Sequence, residues 1–140
     1  GLPLYGHEMG LGSGKFEGRD LGVAEGGFGS YVKPYKPWFI GRDAYVARDA
    51  QRERKGVVIR FTFDDQRVRM AHNGDPVMNA NGERIGFVTS CAIDGQRFIT
   101  GQAYLDNAYT KEGTPILIHQ GGVMDRPATA AKVVSRFAKL

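Results

Sequence analysis

The feature of this sequence that most constrains its fold is a hydrophobic pattern of period two that begins at Gly56. Every odd position from Val57 to Phe63 is apolar, so this segment predicts a strand with one face toward a core. Turn signals separate it from further predicted strands at 67–70, 77–79, 84–90, 97–106, 115–118 and 132–137. Strands at this spacing are typical of a sandwich or a small barrel.

Glycine marks the turns between these strands. The sequence contains 20 glycines, against about 10 expected at an average usage of about 7%. Asn73-Gly74 and Asn81-Gly82 lie between apolar runs and predict type I′ turns, because both residue types tolerate positive φ. The predicted fold is therefore mainly β: a small Greek-key-type β-barrel with one surface helix and an irregular N-terminal lead-in.

The residues before the first strand predict less regular structure. Residues 1–30 are the predicted lead-in, a connector from an upstream portion of a longer protein, and residues 31–140 are the predicted barrel domain. A helix is expected at about 42–54 from its Ala, Arg, Glu and Gln content, with one narrow contact stripe. Trp38-Phe39-Ile40 is expected to be buried, and 121–131 is expected to be a surface loop.

Charge and composition restrict the partners. The formal net charge is +4 and the isoelectric point is about 9.3, a value that raises nucleic acid as a partner. The basic residues are scattered among acidic ones without a Lys/Arg run, so nucleic acid is not predicted, whereas an anionic ligand or an acidic partner surface fits. No apolar run approaches the roughly 18–20 residues that span a bilayer. The single Cys91 excludes an internal disulfide and fits a reducing, cytoplasmic location.

The sequence contains no motif for catalysis or metal binding. His7, His72 and His119 lack the spacing of metal ligands, and a nucleophilic Cys91 would need a lowered pKa that no sequence pattern indicates. Arg69 is the candidate binding residue. It ends a predicted strand before a glycine turn, where an arginine can hold a ligand carboxylate or form an inter-domain ion pair. A solvated arginine at the edge of the barrel is the alternative.

Several segments, in a fixed order, resemble those of one family: GLPLYGHE at 1–8, FIGRDA at 39–44, RMAHNGDPV at 69–77, GERIGFVTS at 82–90 and GQAYL at 101–105. They resemble the C-terminal third of the glycine-cleavage T-protein (aminomethyltransferase) family, which also includes the folate-binding regions of dimethylglycine dehydrogenase and sarcosine oxidase. The resemblance implies a C-terminal β-barrel that caps a tetrahydrofolate site. It also implies a full-length enzyme that transfers a one-carbon unit from an aminomethyl donor to tetrahydrofolate.

The resemblance implies roles for residues and partners as well. Arg69 and Tyr5 are the expected cofactor-binding residues, whereas the family's catalytic aspartate and its pterin-binding acidic residue lie in upstream folate-binding domains. Those domains would bind most of the tetrahydrofolate, so the isolated chain is expected to be inactive. A lipoyl carrier, the H-protein, is an expected partner.

The sequence departs from the family pattern after its Thr-Ser pair, where Cys91 and Ala92 replace small residues and the usual Ser-Pro is missing. A folate-dependent demethylase of the same family therefore remains open. The alternative of a different class is a non-catalytic small β-barrel that binds an oligosaccharide, a nucleic acid or a protein, since the fold alone does not determine function.

Overall fold

The computed structural model describes Met9, residues 20–51 and residues 55–135. Within these residues the secondary structure comprises α1 (Arg42–Gln51), β1 (Gly56–Phe63), β2 (Pro76–Met78), β3 (Arg84–Ile93), β4 (Ile99–Asp106), β5 (Pro115–Ile118) and β6 (Thr129–Val134), with short 3-10 turns between some of them. The strands form a closed barrel, which confirms the predicted mainly-β fold with one helix. No helix in this part of the chain is long and apolar enough to cross a membrane.

The strand order around the barrel is β1-β4-β3-β2-β5-β6, and β6 pairs with β1 to close it. Every pair is antiparallel. The strands β2, β3 and β4 are neighbours both in sequence and in space, whereas β1 lies beside β4, which is the order of a Greek key. The link from β1 to β2 is therefore a long loop of residues 64–75 at one end of the barrel, and it carries Arg69.

Apolar side chains fill the barrel interior as the period of two predicted. Phe61 and Phe63 are buried, and their rings meet edge to face with centroids 5.5 Å apart. Among the described residues, the other large side chains that are fully buried are Leu105, Ile116, Ile118, Val77 and Val88. Burying one such side chain contributes about 1.5–3 kcal/mol, so this shared core holds the strands together.

The described part of the lead-in packs on the outside of the barrel. Val58 occupies an even position yet is only 3% exposed, and its N–H donates to the carbonyl of Glu25 at 2.6 Å. The buried carboxylate of Glu25 accepts the N–H of Gly22 at 2.8 Å and the hydroxyl of Tyr104 at 3.4 Å. Burial, and then the nearby Glu25 carboxylate, raise the pKa of Tyr104. The lead-in therefore covers wall residues that would otherwise face water.

The turn between β2 and β3 is not the predicted type I′ turn, because Gly82 has positive φ (79°) and Asn81 does not. The buried side chain of Asn79 organises this turn instead. Its Oδ1 accepts the N–H groups of Asn81 and Glu83 at 2.9 and 3.0 Å. Its Nδ2 donates to the Glu83 carboxylate at 2.7 Å and to the Tyr109 hydroxyl at 3.0 Å. A residue predicted to end a strand is thus the centre of the turn.

Two of the predicted segment types were wrong. Residues 67–70 form no strand, because hydrogen bonds from side chains fix their path, as described below. The strand β6 begins at Thr129, inside the segment predicted as a surface loop. Its buried residues Ala131 and Val133 do alternate, but small alanines hide the period of two in the sequence.

The apolar segment Trp38-Phe39-Ile40 was wrongly predicted to be buried, since Trp38 and Ile40 are exposed. The helix α1 has a narrow contact stripe, as predicted, formed by the partly buried Tyr45 and Asp49 and by Arg48, which pairs with Asp20, and none of its side chains is fully buried. Residues 52–54, the predicted end of this helix, lie outside the described residues. Hydrophobicity alone does not distinguish a core residue from one that meets another surface.

Candidate functional site

Two loops lie together at one end of the barrel, and residues 67–75 and 119–122 of these loops are called the rim below. Side-chain hydrogen bonds fix the first loop in place of strand pairing. Asp65 Oδ1 accepts the N–H of Arg67 at 2.9 Å, and Gln66 Nε2 donates to the carbonyl of Gln96 at 3.1 Å. The loop that carries Arg69 therefore has a defined path without being a strand.

Asp75 is the buried centre of the rim, with 4% of its surface exposed. Its Oδ2 accepts the N–H of His72 at 2.8 Å and the N–H of Gly121 at 2.9 Å. Hydrogen bonds to an ionised acceptor are roughly twice as strong as neutral ones, so this carboxylate joins the two loops. The turn predicted at Asn73-Gly74 is present, but it is not type I′, because Gly74 has positive φ (90°) and Asn73 does not.

Arg69 lies on the exposed side of the rim. Its carbonyl accepts a hydrogen bond from Gln120 Nε2, and Gln120 Oε1 accepts one from the Thr129 hydroxyl at 2.7 Å. Among the described residues, the Arg69 guanidinium has no ion-pair or hydrogen-bond partner. An anchored backbone thus presents a guanidinium to solvent. Tyr5, the other predicted cofactor-binding residue, lies outside the described residues.

The thiol and imidazole groups near the rim are not arranged for nucleophilic catalysis. Burial raises the pKa of the Cys91 thiol, backbone hydrogen bonds at Ala71 and Ala92 lower it, and the Asp75 carboxylate raises it slightly further. A thiol with a raised pKa remains protonated near neutral pH and is a poor nucleophile. His72 Nδ1 lies 3.9 Å from Asp75 Oδ2, a separation beyond hydrogen-bonding range.

Sequence reasoning did not identify Asp75 or Gln120 as rim residues. The signal for Asp75 was the Gly74-Asp75-Pro76 sequence at a turn, since Asp commonly accepts hydrogen bonds from nearby backbone N–H groups. Gln120 carried no signal, because its contact with Arg69 joins residues far apart in the sequence. Within the described ranges no three His, Cys, Asp or Glu side chains could hold a metal ion, and His7 lies outside those ranges.

A concave surface with a volume of about 620 Å³ lies on the barrel wall. Its charged lining residues have both signs: Arg60, Lys132, Asp64, Asp94 and Glu112. Lys132 Nζ lies 3.3 Å from Asp64 Oδ1, and Arg60 Nε donates to the Thr100 hydroxyl at 3.2 Å. Because charges of both signs line it, this surface lacks the single-sign field that would select an anionic ligand.

The fold and the rim define a closed antiparallel Greek-key barrel with an anchored polar end. Comparisons with known proteins then point to a family. The chain is 30% identical to an aminomethyltransferase from Caldanaerobacter subterraneus over 99% of this chain. It is 33% identical to an aminomethyltransferase from Alkaliphilus oremlandii over 96% of this chain. In each case the match covers 33% of the relative's length.

A solved structure shares the fold. The glycine cleavage system aminomethyltransferase T from Bartonella henselae superposes with a TM-score of 0.64 over 81% of this chain and 31% of its own, at 19% sequence identity. No family model matches the chain. The resemblance seen in the sequence motifs is confirmed: the chain corresponds to the C-terminal barrel region of the glycine-cleavage T-protein (aminomethyltransferase) family. It spans about a third of the length of the curated relatives that it matches.

Proposed function

We propose that this chain is the barrel portion of a tetrahydrofolate-dependent aminomethyltransferase, and that its rim closes a folate site formed by other domains of that enzyme. The observation that carries the proposal is the match of nearly the whole chain to two aminomethyltransferases. About two thirds of each relative lies outside the match, and we assign most of the folate site and the catalytic aspartate to that part.

Arg69 is the rim residue assigned to the folate. Folate ends in glutamate carboxylates, and a guanidinium can bind a carboxylate through two parallel hydrogen bonds. The Arg69 guanidinium is exposed, and its backbone is held by Gln120. This arrangement limits the conformational entropy lost on binding. Tyr5 remains a second predicted contact, and its position is not described by the structure.

In this proposal the described residues of the barrel bind and enclose the folate, and they do not carry out the one-carbon transfer. Cys91 is protonated near neutral pH, and Asp75 is occupied by two backbone N–H groups. We therefore expect no one-carbon transfer by the 140-residue chain alone. A lipoyl carrier protein that delivers the aminomethyl group is the proposed partner of the complete enzyme.

The test is an assay of one-carbon transfer by a complete gene product that contains this chain. Transfer from a carrier-bound aminomethyl group would give methylenetetrahydrofolate and ammonia, whereas transfer of a methyl group from a demethylase substrate would give methyltetrahydrofolate. We expect methylenetetrahydrofolate, with no product from the 140-residue chain. Formation of methyltetrahydrofolate alone would instead indicate the demethylase, and no folate product from any donor would contradict the proposal.

A further inference from the structure

The concave surface of about 620 Å³ is built on the outer faces of strands β4, β1 and β6, and is called the wall groove below. Arg60 and Thr62 of β1 line it, and Asp64 follows on the same face. Thr62 pairs with Thr100 of β4 and with Lys132 of β6, so three neighbouring strands supply its floor. Its volume falls within the range of ligand sites, about 300–1,000 Å³. None of the rim residues lines this groove.

Arg60 is held against the wall with part of its guanidinium available. Its Nε donates to the Thr100 hydroxyl at 3.2 Å, and that hydroxyl donates to the carbonyl of Phe61 at 2.6 Å. Among the described residues, Nη1 and Nη2 of Arg60 have no hydrogen-bond partner. The residue is half-buried, so its charge is less screened than that of a fully exposed cation. Two free donors on one planar group can bind a carboxylate through two hydrogen bonds.

Carboxylates lie at the opposite end of the wall groove. Asp64 is four residues beyond Arg60, or roughly 13 Å at about 3.3 Å per residue, and its N–H donates to the Ala130 carbonyl of β6. Asp94 reaches the same end, because its N–H donates to the Phe98 carbonyl at 2.9 Å in the hairpin between β3 and β4. The ammonium group of Lys132 neutralises only one of these two carboxylates. This end of the groove therefore carries a net negative charge.

We propose that the wall groove binds a short extended peptide with free termini, about four residues long. The C-terminal carboxylate of the peptide binds the Nη donors of Arg60, and its ammonium group binds at the end formed by Asp64 and Asp94. An extended chain of four residues spans roughly 13 Å, which matches the separation of the two ends. Phe98 and Val134 line the groove as well and give apolar contacts for the peptide side chains.

The charges of the groove favour this occupant over a ligand of one charge sign. Two cations and three carboxylates line it, so a uniformly acidic or uniformly basic ligand would meet like charges, which costs affinity. The third carboxylate, Glu112, precedes β5 and is separated from Arg60 by β6. At about 4.8 Å between strands it lies roughly 10 Å from Arg60, which is too near for the ammonium group of an extended four-residue peptide.

Titration of the isotope-labelled 140-residue chain with tetraalanine, followed by NMR, tests the proposal. We expect saturable shifts of amide signals around Arg60, Thr100 and Val134, with a Kd in the millimolar range. Acetylation of the N-terminus, amidation of the C-terminus, or shortening to dialanine should each weaken binding about fivefold, because one ionic contact is lost. The absence of saturable shifts on these strands would overturn the proposal. Equal binding of a peptide with both termini blocked would also overturn it.

Variants of the groove assign the two ends of the peptide. Arg60→Gln should weaken tetraalanine binding about fivefold and leave the affinity for the amidated peptide unchanged, because amidation already removes the carboxylate that Arg60 binds. Asp94→Asn keeps the oxygen that accepts the hairpin N–H groups, and should weaken binding of tetraalanine but not of the N-acetylated peptide. Glu112→Gln is the matched control and should leave every affinity unchanged.

These variants also separate recognition from a loss of structure. Equal losses for tetraalanine and the amidated peptide in the Arg60 variant would show that Arg60 only supports the wall, and would overturn the proposal. A loss in the Glu112 variant as large as that in the Asp94 variant would overturn the assigned binding mode. Unchanged amide signals elsewhere in the barrel are expected for all three variants, since each replaced side chain lies on the outer surface.

Discussion

Replacing Asp75 with alanine should detach the two loops of the rim from each other. The substitution removes the acceptor of the His72 and Gly121 N–H groups. Hydrogen bonds to a charged group contribute about 1.5–3 kcal/mol each, but removing the carboxylate also removes its own desolvation cost. We therefore expect a loss of about 2–4 kcal/mol in the free energy of unfolding, or roughly 6–12 °C in Tm for a chain of this length.

Urea denaturation of the 140-residue chain measures this loss, and amide hydrogen exchange locates it. The matched control is Asp94→Ala. Asp94 Oδ1 also accepts two backbone N–H groups, from Gln96 at 2.8 Å and Phe98 at 2.9 Å, but both lie in its own hairpin. Asp94 is partly exposed, so water can replace these bonds at a cost of about 1 kcal/mol. Exchange at Gly121 should accelerate only in the Asp75 variant. Equal costs for the two variants, or an unchanged Gly121 amide, would refute this role of Asp75.

Three further predictions concern the barrel. Asn79→Ala should cost about 2–3 kcal/mol in urea denaturation, because four hydrogen bonds are lost, whereas Asn81→Ala should stay within about 0.5 kcal/mol; similar costs would argue against the Asn79 turn. Gly86→Ala should unfold the chain, as shown by circular dichroism, because a Cβ there would lie 2.0 Å from the Tyr104 carbonyl oxygen, while Gly95→Ala meets nothing within 4 Å and should fold normally. The Cys91 thiol should react slowly with a disulfide reagent at pH 7.5, and faster only above the ordinary thiol pKa of about 8.5. Because the pKa of Cys91 is raised in the folded chain, the neutral thiol favours the folded state. This contribution to stability is therefore present below the ordinary thiol pKa and is lost as the pH rises above it. Rapid reaction of the folded chain at pH 7.5 would contradict the partial burial of Cys91.

The local patterns of the barrel could be read from the sequence, and its long-range contacts could not. The odd positions of β1 were predicted because alternation follows directly from strand geometry, and the bounds of β5 were predicted at Pro115–Ile118. The position of β1 beside β4 depends on contacts between distant residues, such as Ile59 with Ala103. Arg69 was predicted to end a strand before a glycine turn, whereas it lies within the loop of residues 64–75. The buried anchor that fixes the rim was not predicted, because Asp75 meets Gly121 only in the folded chain.

The exposed Trp38 shows a second limit on what can be predicted from the sequence. An apolar run predicts burial against some surface, and the sequence does not say whether that surface belongs to the same domain. The expectation that Trp38 is buried within this chain was wrong. Some predictions stay predictions: the division at residue 30, the ligand roles of Arg69 and Tyr5, and the cytoplasmic location.

The most direct test of the central claim is the affinity of folinic acid for a complete gene product that contains this chain, measured by calorimetry. The proposal predicts that Arg69→Ala weakens binding by roughly 10- to 100-fold, as expected for lost hydrogen bonds to a carboxylate. Arg67→Ala, two residues away and also exposed on the rim, should leave the affinity unchanged. Equal affinities for the Arg69 variant and the parent protein would contradict the claim that this rim closes the folate site.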